Sequence, residues 1–232
     1  MSERVLVTGA SGRIGGSVAE RVILDHDVIG LDIKAGPYTT LIGNITDCRL
    51  VDDICSRVDA VIHTASLHAP QVGILPDDDF RRTNILGTQV LLRASLRGSV
   101  KRFIYTSTTS LYGRALVPRG RSVWVTENLE PAARDIYDET KIAAENECAK
   151  AAQAGLTCMS LRMSRCFPEP EHLMAIYSIA SIAAWTRAMS HRPMRWPSHP
   201  ISRGFRSSTF PQHRRSSRKI RRNFCRMRQM SF

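Results

Sequence analysis

The sequence predicts an α/β protein, a doubly wound parallel sheet with strand order 3-2-1-4-5-6, and three observations carry that prediction. Short apolar runs alternate with segments of helical period, the pattern of parallel strands joined by crossover helices. A glycine-rich turn follows the first apolar run directly and opens the first helical segment. The 232 residues are 43% apolar, enough to bury one core of ordinary domain size, or one and a fraction.

Taken in order, the first strand runs from Arg4 to Thr8 around Val5, Leu6 and Val7, and a helix follows at about Arg13 to Leu24. Strands come next at Asp27 to Leu31 and Thr40 to Gly43, with a helix at Asp47 to Ser56. The fourth strand is Asp59 to Thr64, followed by a helix from Arg82 to Arg97. Strand Lys101 to Ser107, helix Ile136 to Ala154 and strand Leu156 to Met163 complete the pattern. Right-handed crossovers between these strands give the stated order. No internal repeat interrupts it.

The net charge of +12 belongs to one end of the chain. Residues 1–177 hold 20 Lys+Arg against 21 Asp+Glu, whereas residues 178–232 hold 13 Lys+Arg and no acid. At ordinary usage such a tail of 55 residues would include roughly six or seven acids. Residues 1–177 are therefore read as the folded domain and 178–232 as a basic tail. Two explanations of the tail stand: a disordered basic arm, or translation out of frame. Trp185, Met189, Met194 and Trp196 have single codons and so fix the nucleotides beneath them. Reading from the third base, the stretch from Ala184 and that from Ser208 can both become acid-containing sequence of ordinary composition. Trp196, Phe205, Phe210 and Phe224 lie among the tail arginines, but no nucleic-acid-binding motif accompanies them, so nucleic acid is not an expected partner.

Six cysteines, Cys48, Cys55, Cys148, Cys158, Cys166 and Cys225, show neither a Cys-x-x-Cys pair nor a disulfide ladder. His63 and His68 lack supporting ligands at metal spacing, so no metal is expected. The start of the chain is not signal-like, and Leu173 to Trp185 is too short and too broken by serines for a membrane span of ~20 residues. These features lead to the expectation of a soluble, cytoplasmic protein without a membrane partner.

The chemistry begins at Thr8-Gly9-Ala10-Ser11-Gly12-Arg13-Ile14-Gly15. Gly9 permits the tight turn, Gly12 lets backbone approach a pyrophosphate, and Gly15 lets the helix pack closely on the sheet. The helix N-terminus then offers aligned N–H donors to phosphates. Asp32 closes the second strand about twenty residues on, where a carboxylate accepts ribose hydroxyls and repels a 2′-phosphate. The pattern favours NAD over NADP, with Arg13 and Lys34 weakening the preference. Tyr137 and Lys141 open a later helix one turn apart on one face, where an ammonium lowers the pKa of a phenol otherwise near 10.

Together these residues resemble the extended short-chain dehydrogenase/reductase family, in its NAD-dependent epimerase/dehydratase branch, over residues 1 to about 177. Thr8 to Gly15 resembles its Thr-Gly-x-x-Gly-x-x-Gly motif, and Tyr137 with Lys141 its Tyr-x-x-x-Lys. His63-Thr64-Ala65-Ser66 is similar to the cofactor-lining segment after the fourth strand, and Asn84 to Thr88 to the Asn-x-x-Gly-Thr helix. The resemblance implies a Rossmann-type domain that binds NAD through Gly9, Ser11, Gly12, Arg13, Ile14, Gly15, Asp32, Asn44, Ile45, His63, Thr64, Ala65, Ser66, Asn84, Tyr137 and Lys141. It also implies a catalytic hydroxyl at Thr108, with Ser107 the neighbouring alternative, aligned from Tyr112-Gly113. Tyr137 would remove a hydroxyl proton, Lys141 would hold the ribose, and Thr108 would bond the reacting oxygen of a small carbohydrate or nucleotide-sugar-like substrate. An epimerase would return the hydride to the other face of a keto intermediate; a dehydratase would first eliminate water.

The sequence also departs from the family. Asn44-Ile45 stands where the family usually has Asp-Ile or Asp-Leu, and Arg162-Met163-Ser164-Arg165 where it often has Arg-Tyr-Phe-Asn. The C-terminal substrate lobe is not recognisable in residues 178–232. Family members often dimerise through helices that here would be Arg82 to Arg97 and Ile136 to Ala154. A second reading therefore remains, a non-catalytic dinucleotide-binding or sensor protein with a basic interaction tail.

Overall fold

The structure, a computed structural model, describes residues 2–118, 120, 122–126 and 128–164. The tail and its reading frame lie outside the described residues. Six parallel strands form one sheet in the order β3-β2-β1-β4-β5-β6, as expected. They are β1 (Arg4–Thr8), β2 (Asp27–Asp32), β3 (Leu41–Ile42), β4 (Ala60–His63), β5 (Arg102–Thr108) and β6 (Thr157–Met163). The helices are α1 (Arg13–Val22), α2 (Cys48–Cys55), α3 (Asp77–Phe80), α4 (Gly87–Arg97) and α5 (Ile136–Gln153). A π-helical segment, Arg81–Leu86, joins α3 to α4, and a 3-10 segment, Thr109–Leu116, follows β5.

The pleat sorts the apolar residues onto two faces. Val5 and Val7 of β1, Ala60 and Ile62 of β4 and Ile104 of β5 pack with Val18, Ala19 and Val22 of α1. Their neighbours Leu6, Val61, Phe103 and Tyr105 point the other way, onto α2, α4 and α5 through Ile54, Leu91, Ala144 and Cys148. Covering both faces explains why the central strands β1 and β4 carry continuous apolar runs, Val5 to Val7 and Ala60 to Ile62, rather than alternating.

Local chemistry sets the helix starts near the site. Asp47 caps α2, its Oδ1 accepting from the backbone N–H groups of Arg49 at 3.0 Å and Leu50 at 3.2 Å. Asp135 caps α5 by accepting from Asp138 N at 3.0 Å, with Asp138 and Glu139 in the first turn where the helix dipole favours acids. Helical structure begins at Asp77, five residues earlier than the expected helix from Arg82. The run Asp77-Asp78-Asp79 is the first turn of α3.

Candidate active site

Gly9 adopts φ +74° and its N–H donates to Leu31 O at 2.8 Å, bending the chain at the carboxyl edge of the sheet. Gly15 lies against that turn: a Cβ there would fall 2.0 Å from Gly9 O and 2.6 Å from Thr64 Oγ1. The N-terminus of α1 has no side-chain cap at Gly12 and no acid in its first turn. Its aligned donors are thus left to the positive end of the helix dipole, as an anion site requires. Ile14 packs against the apolar face beneath α1, and Arg13 is exposed at its start.

Asp32 is fixed beside this turn, Oδ2 accepting from Ser11 N and Oδ1 from Lys34 N, each at 3.0 Å. A carboxylate has about four acceptor positions, so each oxygen retains capacity for a ribose hydroxyl. Asn44 is exposed, its Oδ1 accepting from Thr46 N and Thr46 Oγ1 at 3.0 Å, while Ile45 is buried against Gly87. Thr64 and Ala65 close the floor beside Gly9: Thr64 Oγ1 donates to Thr8 O at 2.6 Å and Ala65 N to Thr8 Oγ1 at 3.3 Å. The uncapped helix start, the close glycine turn and the fixed carboxylate suit the pyrophosphate and ribose of a dinucleotide.

Two residues expected to line the cofactor instead lie beneath that floor. His63 is 1% exposed, with Nδ1 bonded to Thr8 Oγ1 at 2.7 Å and Nε2 to Thr88 Oγ1 at 3.0 Å, so both ring nitrogens are engaged. Burial, and secondarily the Lys141 charge, pushes its pKa down to about 3, and the imidazole is neutral. Asn84 is equally committed. Its Oδ1 accepts from Leu67 N at 2.8 Å and Ser66 Oγ at 3.1 Å, and its Nδ2 donates to Leu67 O at 2.9 Å and Thr140 Oγ1 at 3.0 Å. It fastens the loop carrying Ser66 to α5, and the π-helical segment is what presents it there.

Two of the candidate reactive side chains lie in the first turns of α5. Tyr137 is half-buried in its first turn, and Lys141 is 3% exposed one turn later. Lys141 Nζ donates to Thr106 O at 2.7 Å and sits 4.4 Å from the centre of the Tyr105 ring. Burial pushes its pKa down to about 7, partly opposed by Glu145. Of the two hydroxyl candidates on β5, Ser107 is buried and donates to Glu145 Oε1, whereas Thr108 is half-buried. Thr108 Oγ1 accepts from Ser110 N at 3.1 Å, which leaves its own O–H to donate elsewhere.

Several supporting residues were not anticipated. Ser110 Oγ donates to Asp138 Oδ1 at 2.6 Å, and Arg134 Nε to Asp138 Oδ2 at 3.0 Å, clamping the turn after Thr108 to the helix start beside Tyr137. Glu145 pairs with Arg162 at 2.6 Å. The available signal was spacing: Tyr137, Lys141 and Glu145 follow one another at intervals of four, a single stripe along the helix. Among the described residues, no three His, Cys, Asp or Glu side chains could hold a metal together.

This arrangement defines a Rossmann-type domain, with Tyr137 and Lys141 one turn apart at the start of α5. The profile of the NAD dependent epimerase/dehydratase family matches residues 5–189, and the chain belongs to that family. It is 29% identical over 175 residues to a 3-beta-hydroxysteroid dehydrogenase of Mycolicibacterium neoaurum, a match covering 69% of this chain and 47% of that protein. It is 35% identical over 129 residues to a dTDP-glucose 4,6-dehydratase of Streptomyces antibioticus, covering 47% and 38%. The UDP-glucose 4-epimerase of Thermotoga maritima, solved with UDP-glucose, superposes with a TM-score of 0.61 at 28% identity, covering 68% and 54%. WbmH of Bordetella bronchiseptica, solved with NAD+, gives 0.58 at 27%, covering 71% and 56%. The chain thus spans about half the length of the relatives it matches.

Proposed function

We propose that this chain carries the cofactor-binding and proton-transfer half of an NAD-dependent epimerase/dehydratase-type oxidoreductase. Its substrate is a hydroxyl-bearing carbohydrate of nucleotide-sugar type. The observation that supports the reading is Tyr137 and the buried Lys141 one turn apart at the start of α5, in a fold whose first helix start is uncapped and has Asp32 held beside it. When bound, the nicotinamide supplies the hydride acceptor and donor. Gly9, Ser11, Gly12, Arg13, Ile14 and Gly15 would cradle the pyrophosphate of the dinucleotide, Asp32 would take the adenosine ribose and disfavour a 2′-phosphate, and Asn44, Ile45, Thr64, Ala65 and Ser66 would flank it. His63 and Asn84 support that wall from below.

In this reading Tyr137 accepts the substrate hydroxyl proton at its phenolate oxygen, and Thr108 donates to the same substrate oxygen as charge develops on it. Lys141 stabilises the phenolate by its charge, which it loses as the pH rises through about 7. The reading places the enzyme in the cytosol, with α4 and α5 as the face for a second copy.

Tyr137→Phe should lower kcat/KM with UDP-glucose by about 10²- to 10⁴-fold while leaving NAD binding intact. Undiminished turnover would contradict the mechanism. NAD binding without turnover in either form would favour a non-catalytic sensor. The match to a hydroxysteroid dehydrogenase supports a second substrate class, a ring alcohol on a steroid, and the same assay with a 3β-hydroxysteroid separates the two.

A further inference from the structure

We propose that Glu145 is a positioning residue, which fastens the Thr108 end of β5 and Arg162 of β6 to the helix carrying Tyr137 and Lys141, so that carboxylate and ammonium act as a fixed pair. The inference rests on the functional reading above, and it concerns a side chain that the proton-transfer steps do not use.

Glu145 is 7% exposed and lies one helical turn beyond Lys141, on the same stripe of α5. It receives hydrogen bonds from two strands. Ser107 Oγ donates to its Oε1. Arg162 donates to both oxygens, Nε at 3.0 and 3.2 Å and a terminal nitrogen at 2.6 Å to Oε2. Ser107 and Arg162 are register partners on adjacent strands, so one carboxylate joins both to the helix. Arg162 reaches onward to Tyr112 Oη at 2.8 Å, which ties in the segment after Thr108 as well.

The same placement sets the charge around Lys141. From its own helix Glu145 and Cys148 act on it; from β5 it faces Tyr105; from β4 and the following loop, His63 and His68. Burial raises the pKa of Cys148 and of Tyr105, so both are neutral at neutral pH. Burial lowers that of His63 and His68, so these are neutral too. Glu145 opposes the effect of burial on the ammonium, and Arg162 holds Glu145 in place.

The test is the titration of Lys141, one of five lysines in the full chain, followed by NMR of protein labelled with carbon-13 at lysine Cε and assigned by Lys141→Arg. Glu145→Gln removes the negative charge and should lower the midpoint by about one pH unit. Arg162→Gln removes the positive charge while leaving the carboxylate, and should raise the midpoint by a similar amount. Opposite shifts support the proposal. Two unchanged midpoints, or both moving toward the ordinary lysine value as loosened packing would require, overturn it. Should Glu145→Gln fail to fold, Arg162→Gln decides alone, against Ser107→Ala as a variant that loosens the same joint without changing charge: a rise no larger than that of Ser107→Ala overturns the proposal. The titration is read without cofactor or substrate, so its failure is distinct from a failure of Tyr137→Phe.

Discussion

His63 shows how a residue beneath the site governs the molecule's response to acid. Its folded pKa of about 3 lies below the ordinary value of 6.5, so between those limits the unfolded chain binds a proton that the folded chain refuses. Stability therefore falls as the pH drops through 6.5, by on the order of 2 kcal/mol at pH 5 from this residue alone. Urea midpoints at pH 7 and pH 5 should separate by less in His63→Gln than in the parent; equal separation would show that the imidazole titrates freely. The places of Tyr137 and Lys141 on α5 and of Asp32 at the end of β2 were legible because their spacing follows strand and helix geometry. The burial of His63 and the full commitment of Asn84 were not, since their partners Thr8, Thr88, Leu67 and Thr140 come from distant parts of the chain.

At the scale of elements, the seat of α1 is the most exacting joint. Gly15 meets Gly9 O at a distance no Cβ tolerates, whereas a Cβ on the adjacent Gly16 would make an ordinary 3.4 Å contact with Ala10 O. Gly15→Ala should cost about 1–3 kcal/mol in urea unfolding and weaken NAD binding, because the helix start must move off the turn. Gly16→Ala should be neutral or stabilise by about 0.5–1 kcal/mol. Equal effects would show that α1 is not seated by Gly15. The strands and α1, α2 and α5 were read to within a residue or two of their ends, because apolar runs and periodicity report burial directly, whereas the start of the helix ending at Arg97 was misplaced by five residues. The π-helical segment Arg81–Leu86 and the 3-10 segment after β5 were missed; each is shaped by tertiary contacts, Asn84 in one and Ser110 in the other.

Across the whole molecule, the parallel sheet follows from the alternation of strands and helices alone, since right-handed crossovers leave few topologies open. Both its faces are covered within the described residues. The chain spans about half the length of its relatives, so substrate identity was out of reach of both sequence and fold. The central claim of the proposed function is dinucleotide recognition, in which Asp32 would take the ribose. Calorimetric titration of NAD and of NADP into the full chain tests this most directly. The account predicts that NAD binds and that NADP binds more weakly, with the gap narrowed in Asp32→Ala. No binding of either, or tighter binding of NADP, would contradict it.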